Sequence, residues 1–320
     1  METKFIRYLS LLGARGVLGQ ALLDMADARK EFFAVSADLA RASGFERLEA
    51  KYPEYCVNTG IAEQAMIGIS SGLSRYGIPV YATSWAVFSA LRIADQMRNY
   101  MGNMLFNVKL IGLDSGLTKS DFGISHSNPQ DIALFRSQPR VRVIAPSDGQ
   151  MLYKSIIEMQ KDNIPTYLRM TGGERLPIIY KCDKPFRFGE CFVAREGKDI
   201  TIFSTGAIIN ETLKAASILS EKGLDCEIID VCTLKPFDYS CISSRLSKKL
   251  FVTVEEHSIY GGLGGIVAEY LSMINDHPRL IICGIPDEIM VAQNYQDALE
   301  YSGLSGKKIA ERILIEYKRS

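Results

Sequence analysis

Short runs of β-branched and aromatic residues alternate with helix-length stretches along almost the entire chain. Strands separated by helices cannot close tight hairpins, so they must lie parallel with helical crossovers between them. In the first half, strands are predicted at 32–36, 79–83, 107–111, 142–145 and 166–169, with helices at 61–76, 86–100 and 149–161. Residues 172–192 interrupt this rhythm with Gly, Pro and charge in no regular period, as a linker does. A second alternation follows: strands at 200–204, 226–231, 250–254 and 280–283, helices at 208–222 and 264–273, and two closing helices. The expected fold class is α/β, with two domains that are each a mainly parallel sheet flanked by helices. Their bounds are residues 1–172 and 193–320, joined by a linker at 173–192.

With 37 basic and 37 acidic residues, the formal net charge is zero. A polyanion-binding surface is therefore not expected, and nucleic acid is set aside as a partner. Apolar runs are strand-length, far short of a bilayer span, and the first residues carry an acid rather than a signal-peptide core. The seven cysteines are odd in number, form no C-x-x-C pair, and several fall in predicted strands, which suits reduced thiols in a cytoplasmic protein. The three histidines, His126, His257 and His277, are scattered, so no metal site is expected.

The segment Asn58-Thr59-Gly60-Ile61-Ala62-Glu63-Gln64 opens a predicted helix, with Gly60 as a possible N-cap and Glu63 in the first turn. A carboxylate there is favoured by the helix dipole and can fold back on the cap as half of a capping box. Gly68 and Gly72 follow at i, i+4 on the same helix, each costing about 1 kcal/mol relative to Ala. Two such glycines imply the close approach of another backbone, either inside the domain or across a subunit interface.

Several segments carry a family resemblance. Gly60-Ile61-Ala62-Glu63-Gln64-Ala65-Met66 resembles the G-I-A-E-Q-N-M segment of transketolases. Ser84-Trp85-Ala86-Val87-Phe88, then Arg92-Ile93-Ala94-Asp95-Gln96-Met97-Arg98-Asn99, are similar to T-F-A-x-F and R-A-x-[DE]-Q-I-R-N. Ser125-His126 through Asp131-Ile132-Ala133-Leu134-Phe135-Arg136 resembles T-H-x-x-x-E-D-I-A-L-M-R, and Val143-Ile144-Ala145-Pro146-Ser147-Asp148 resembles V-I-A-P-A-D. In the second half, Ser204-Thr205-Gly206 and Val254-Glu255-Glu256-His257-Ser258, continuing to Gly261-Gly262-Leu263-Gly264, are similar to S-T-G and V-E-E-H-S-x-x-G-G-L-G. These segments stand in the family's order over almost the whole chain.

The resemblance implies a thiamine-diphosphate pyrimidine-binding fold followed by a transketolase C-terminal domain-like fold. It implies that Glu63 engages a pyrimidine ring nitrogen of thiamine diphosphate, that Phe88 and Trp85 stack near that ring, and that Asp38 lies close to the cofactor. It also implies that His126 faces substrate and that His257 is structural. Asp114 and Arg169 are carried as substrate candidates. The family's G-D-G motif, which holds Mg2+ (or Ca2+) and through it the diphosphate, occurs nowhere in this sequence. An N-terminal transketolase subunit is then the expected partner, supplying the diphosphate-binding domain and the cation in an α2β2 assembly with self-association through this chain.

The sequence departs from the family at its substrate-facing positions. Asp114 replaces a His, Phe122 an Asp, and Gly172 the phosphate-gripping Arg, with Lys119, Arg169 or Arg175 left as cations. These features point to a transketolase-like transferase moving a two-carbon ketol unit between sugars of a specialised kind. The β-subunit of a 2-oxoacid dehydrogenase-like thiamine enzyme and a non-catalytic structural paralogue remain the alternatives.

Overall fold

A computed structural model describes residues 1–127, 129–172, 175–288 and 292–319. Helix α1 (Thr3–Asp27) leads into β1 (Phe33–Ser36), α2 (Glu46–Lys51), β2 (Cys56–Asn58), α3 (Glu63–Ser74) and β3 (Val80–Trp85). Then come α4 (Ala94–Met97), β4 (Val108–Leu113), α5 (Asp131–Ser137), β5 (Arg142–Ile144), α6 (Gly149–Met159) and β6 (Thr166–Arg169). The second half carries β7 (Phe192–Arg195), β8 (Ile200–Thr205), α7 (Ile209–Glu221), β9 (Cys226–Asp230), β10 (Thr233–Lys235) and α8 (Ser240–Ser243). It closes with β11 (Leu250–Ser258), α9 (Leu263–Leu271), β12 (Arg279–Ile285), α10 (Tyr295–Tyr301) and α11 (Gly306–Tyr317).

The strands form two sheets, ordered β10-β5-β6-β4-β3-β1-β2 and β12-β11-β8-β9-β7. Each is parallel except at one edge, where β10 runs antiparallel to β5 and β7 antiparallel to β9. The fold is the expected one: two mainly parallel sheets flanked by helices. Strands β4 and β8 are buried along their whole length and β3 along nearly all of it, as β-branched and apolar runs covered on both faces should be. Strand β10 comes from the second half of the chain but completes the first sheet, which ties the halves together.

Order in the first sheet reverses beside β1: the chain moves outward to β2, then returns past β1 to β3. Such a switch point leaves a crevice outside the carboxyl ends of the strands. Asp38, Glu63, Trp85 and Asp114 follow or end β1, β2, β3 and β4 respectively, so the topology delivers them to that one rim.

The segment expected as one helix over 86–100 is instead built of wide turns. Phe88–Arg92 and Arg98–Asn103 are π-helical, with only α4 between them. π-helical turns are rare in soluble proteins and concentrate at functional sites. Helix α1 was not legible as one helix, because Gly13 breaks it with a left-handed φ of 67°.

Candidate functional site

Glu63 is the first residue of α3 and is 3% exposed. Ala62 is the N-cap rather than Gly60, and it provides no side-chain bond. The Glu63 carboxylate does not fold back as a capping box. It accepts a hydrogen bond from Ser84 Oγ at 3.0 Å on one oxygen and from Arg92 Nη1 at 2.8 Å on the other. Burial makes an unpartnered carboxylate costly, and both oxygens are satisfied here. Arg92 is also spent on a second contact: its guanidinium carbon lies 4.2 Å from the centre of the Phe88 ring. A single cation thus engages both the acid and the aromatic face expected to receive a pyrimidine.

His126 joins this group, its ring 5.4 Å from Phe88, 5.2 Å from Phe122 and 6.5 Å from Trp85. Ser125 Oγ lies 3.0 Å from His126 Nδ1. Trp85 in turn carries Arg15 at 5.2 Å and Lys119 at 5.5 Å from its ring centre. Both cations pair with Asp114, Arg15 by a short hydrogen bond and Lys119 at 3.9 Å. Arg15, Asp114 and Lys119 line a cleft of about 490 Å³ that Asn294 and Tyr295 close from the second half of the chain.

Asp38 lies in a left-handed backbone conformation (φ 58°), tolerable for a short polar side chain. Its N–H donates to Asn58 Oδ1 at 3.1 Å, and Asn58 Nδ2 donates to Asp38 Oδ1 at 3.1 Å. Asn58 Oδ1 also accepts from the Gly60 N–H at 3.0 Å, so Asp38 helps to fix the loop that aims Glu63.

Arg169 does not reach the cleft. Strand β6 is buried throughout, and Arg169 is fully buried in an ion pair with Asp131. Its Nε donates to both Asp131 oxygens at 3.0 and 2.8 Å, and its Nη2 donates to the Glu256 carbonyl at 2.6 Å. Expected as a substrate contact, Arg169 is placed in this ion pair rather than among the residues that line the cleft. It belongs to a seam between the halves, where Glu256 also accepts from the Leu117 N–H at 3.1 Å. There His257 Nε2 accepts from the Ala133 N–H at 3.2 Å, and burial lowers the His257 pKa to about 4. The glycine-rich start of α9 holds no external anion site, since Glu255 accepts from the Leu263 and Gly264 N–H groups at 2.6 and 2.7 Å.

Gly68 and Gly72 face open space: a Cβ at either meets nothing within 4 Å. Packing inside the chain therefore does not explain them. Ile61 and Ile69 are exposed on the same helix or its approach, leaving an apolar face uncovered.

Sequence alone singled out no role for Ser84, Arg92 or Arg15. Arg92 stands four residues after Phe88, the spacing that brings helical side chains together, and this was the available signal. For Arg15 the signal was Gly13, a helix breaker two residues earlier in a helix-length stretch. The residues present suit the ring end of thiamine diphosphate, offering a carboxyl for a ring nitrogen and an aromatic face for stacking. Among the described residues, no group of three or more His, Cys, Asp or Glu could hold a metal ion. No described helix is long and apolar enough to cross a membrane.

A buried acid beside an aromatic face, at the rim of a mainly parallel sheet, is the arrangement expected of a pyrimidine-binding domain. Residues 12–174 match the transketolase pyrimidine-binding domain and residues 189–309 the transketolase C-terminal domain. This chain belongs to the transketolase family and comprises the pyrimidine-binding and C-terminal parts found as a separate subunit in split members. It is 35% identical over 309 residues to a protein of Methanocaldococcus jannaschii described provisionally as a transketolase C-terminal section, spanning 96% of this chain and 97% of that one. It is 31% identical over 307 residues to a subunit of the apulose-4-phosphate transketolase of Phocaeicola vulgatus, spanning 95% and 97%.

Among solved structures, it resembles a split-gene transketolase described as an inactive β4 tetramer. The TM-score is 0.86 at 30% identity, covering 95% of this chain and 97% of that one. This likeness overturns the expectation of a transketolase-like transferase, because the assembly this chain resembles is inactive.

Proposed function

We propose that this chain is a non-catalytic, self-associating subunit of a split transketolase-type assembly. In this reading it presents a pyrimidine-binding wall, while a separate polypeptide carries the diphosphate-binding half of thiamine diphosphate and its Mg2+ or Ca2+. The observation that carries the reading is the placement of Arg92. It pairs with Glu63 and covers Phe88, so the two groups a pyrimidine needs are already engaged in the chain by itself. With Arg92 in place, neither the carboxylate nor the aromatic face is open to a ring.

Self-association is supported by the open, glycine-bearing face of α3 and by the likeness to a protein described as a β4 tetramer. Once Arg92 swings away, Phe88 would offer its face to the cofactor ring, with Glu63 and Ser84 left to hold a ring nitrogen. Sedimentation of the purified chain tests the assembly, with a mass of four times 35.6 kDa expected. A monomer at micromolar concentration would refute self-association. Two-carbon transfer between sugars that appears when this chain is combined with a polypeptide carrying the diphosphate-binding half, and that Glu63→Gln abolishes, would refute the non-catalytic assignment.

A further inference from the structure

We propose that Cys191 and Cys241 form a dithiol that low-molecular-weight disulfides oxidise to an intramolecular disulfide, tying together the junction between the two sheets. Their sulfur atoms lie 3.0 Å apart, although the residues are 50 apart in sequence. A disulfide requires about 2.05 Å between sulfurs, so closure needs the two sulfurs to approach by about 1 Å.

Both cysteines are positioned by contacts independent of the sulfurs. The Cys191 N–H donates to Asp238 Oδ2 at 3.5 Å, while Asp238 Oδ1 accepts from the Ser240 N–H at 3.1 Å at the start of α8. One carboxylate thus binds the segments bearing each thiol. On the other side, Arg245 Nη1 donates to the Cys241 carbonyl at 3.0 Å, and the same guanidinium is fixed by Glu227 at 2.7 and 2.9 Å. Cys241 is buried and Cys191 only partly so, which makes Cys191 the sulfur a small reagent reaches first. Its hydrogen bond with Cys241 and its burial push the Cys191 pKa up, so this thiol is protonated at neutral pH and its exchange is slow.

In the first exchange, Cys191 gives up its proton and its sulfur attacks one sulfur of the small disulfide, breaking that S–S bond and expelling a small thiolate, which is protonated. Cys241 then loses its proton and attacks the Cys191 sulfur, displacing the second small thiol. Two protein thiols are oxidised and one small disulfide is reduced to two thiols. The bond formed joins the residue preceding β7, the edge of the second sheet, to α8, which follows the strand completing the first sheet.

The test treats the full chain with oxidised glutathione and counts thiols after denaturation, then maps disulfide-linked peptides by mass spectrometry. The expected result is a loss of two thiols, a Cys191–Cys241 linked peptide, and a melting temperature higher by about 5 °C that dithiothreitol reverses. Cys191→Ser and Cys241→Ser should each abolish the shift, and Cys56→Ser should leave it intact. A stable glutathione adduct on Cys191, a link from either cysteine to another thiol, or two alkylatable thiols surviving at these positions would overturn the proposal. Peptide mapping of the wild type decides the matter even if a serine variant folds poorly.

Discussion

Replacing Arg92 with Ala should strengthen binding of thiamine diphosphate to the isolated chain. In the native arrangement a ligand ring competes with two contacts of one guanidinium. The first is the ion pair to Glu63 at 2.8 Å, where the Arg92 side chain is 46% exposed. Solvent screening discounts such a half-exposed pair to about 1 kcal/mol. The second is the cation–π contact with Phe88 at 4.2 Å, worth about 0.5–1 kcal/mol in a partly wet setting. Displacing both costs about 1.5–2 kcal/mol, so their removal should tighten binding about 10- to 30-fold. Trp85 is the only tryptophan in the chain and adjoins His126, which makes its fluorescence a direct reporter. Titration of wild type, Arg92→Ala, Glu63→Gln and the double variant forms a thermodynamic cycle. Glu63→Gln should lose affinity in the Arg92→Ala background, since it removes the acid a ring nitrogen needs and no competing ion pair is left to release. Equal or weaker binding by Arg92→Ala would refute the idea that Arg92 occupies the ring site.

Three further outcomes follow from the packing. Gly68→Leu should leave the melting temperature of a dissociated chain unchanged or higher, because a side chain there meets open space and Leu is the better helix former, yet sedimentation should show the assembly broken. An intact tetramer would refute the assignment of this face as an interface. Arg169→Leu strands Asp131 as a buried unpaired charge and should cost about 3–5 kcal/mol in chemical denaturation, and a loss below about 1 kcal/mol would contradict the seam between the halves. Burial raises the Asp230 pKa from 3.8 to about 7 despite hydrogen bonds from Ser147 and Tyr180. The folded state therefore binds this proton more tightly than the unfolded chain, so the benefit is full below pH 3.8 and is lost as pH rises through about 7. Asp230→Asn should remove that slope, at most about 4 kcal/mol, from the stability–pH profile between these limits.

The alternation of strands and helices was legible because most strands here are long apolar runs bounded by turn residues, and burial on both faces demands that composition. Strands β2, β7 and β10 escaped because each is a short edge strand without the apolar run of a strand covered on both faces, and β10 exists only through its pairing with β5 from the other half of the chain. The same limit applies at the site. Glu63, Trp85, Phe88 and His126 stood out by resemblance, and they do converge on one rim. Arg169 sits at the end of a strand, where side chains commonly face a ligand, but Asp131 lies 38 residues away and draws it inward. Side chains that titrate or carry charge are thus placed by partners remote in sequence.

Arg92 shows why this matters for function. Sequence order puts Arg92 four residues beyond Phe88, where a helical turn brings its guanidinium back over that ring, but only the β3–α3 neighbourhood brings Glu63 within 2.8 Å. A motif alone offers an acid and an aromatic face, from which chemistry is readily inferred. The folded chain adds a cation that satisfies both, which turns the same residues into a closed internal pair. Motif presence and site availability are therefore separate properties. On the proposed reading they part in this chain at one arginine, whose release, by substitution or by a binding partner, would open the face to a ring.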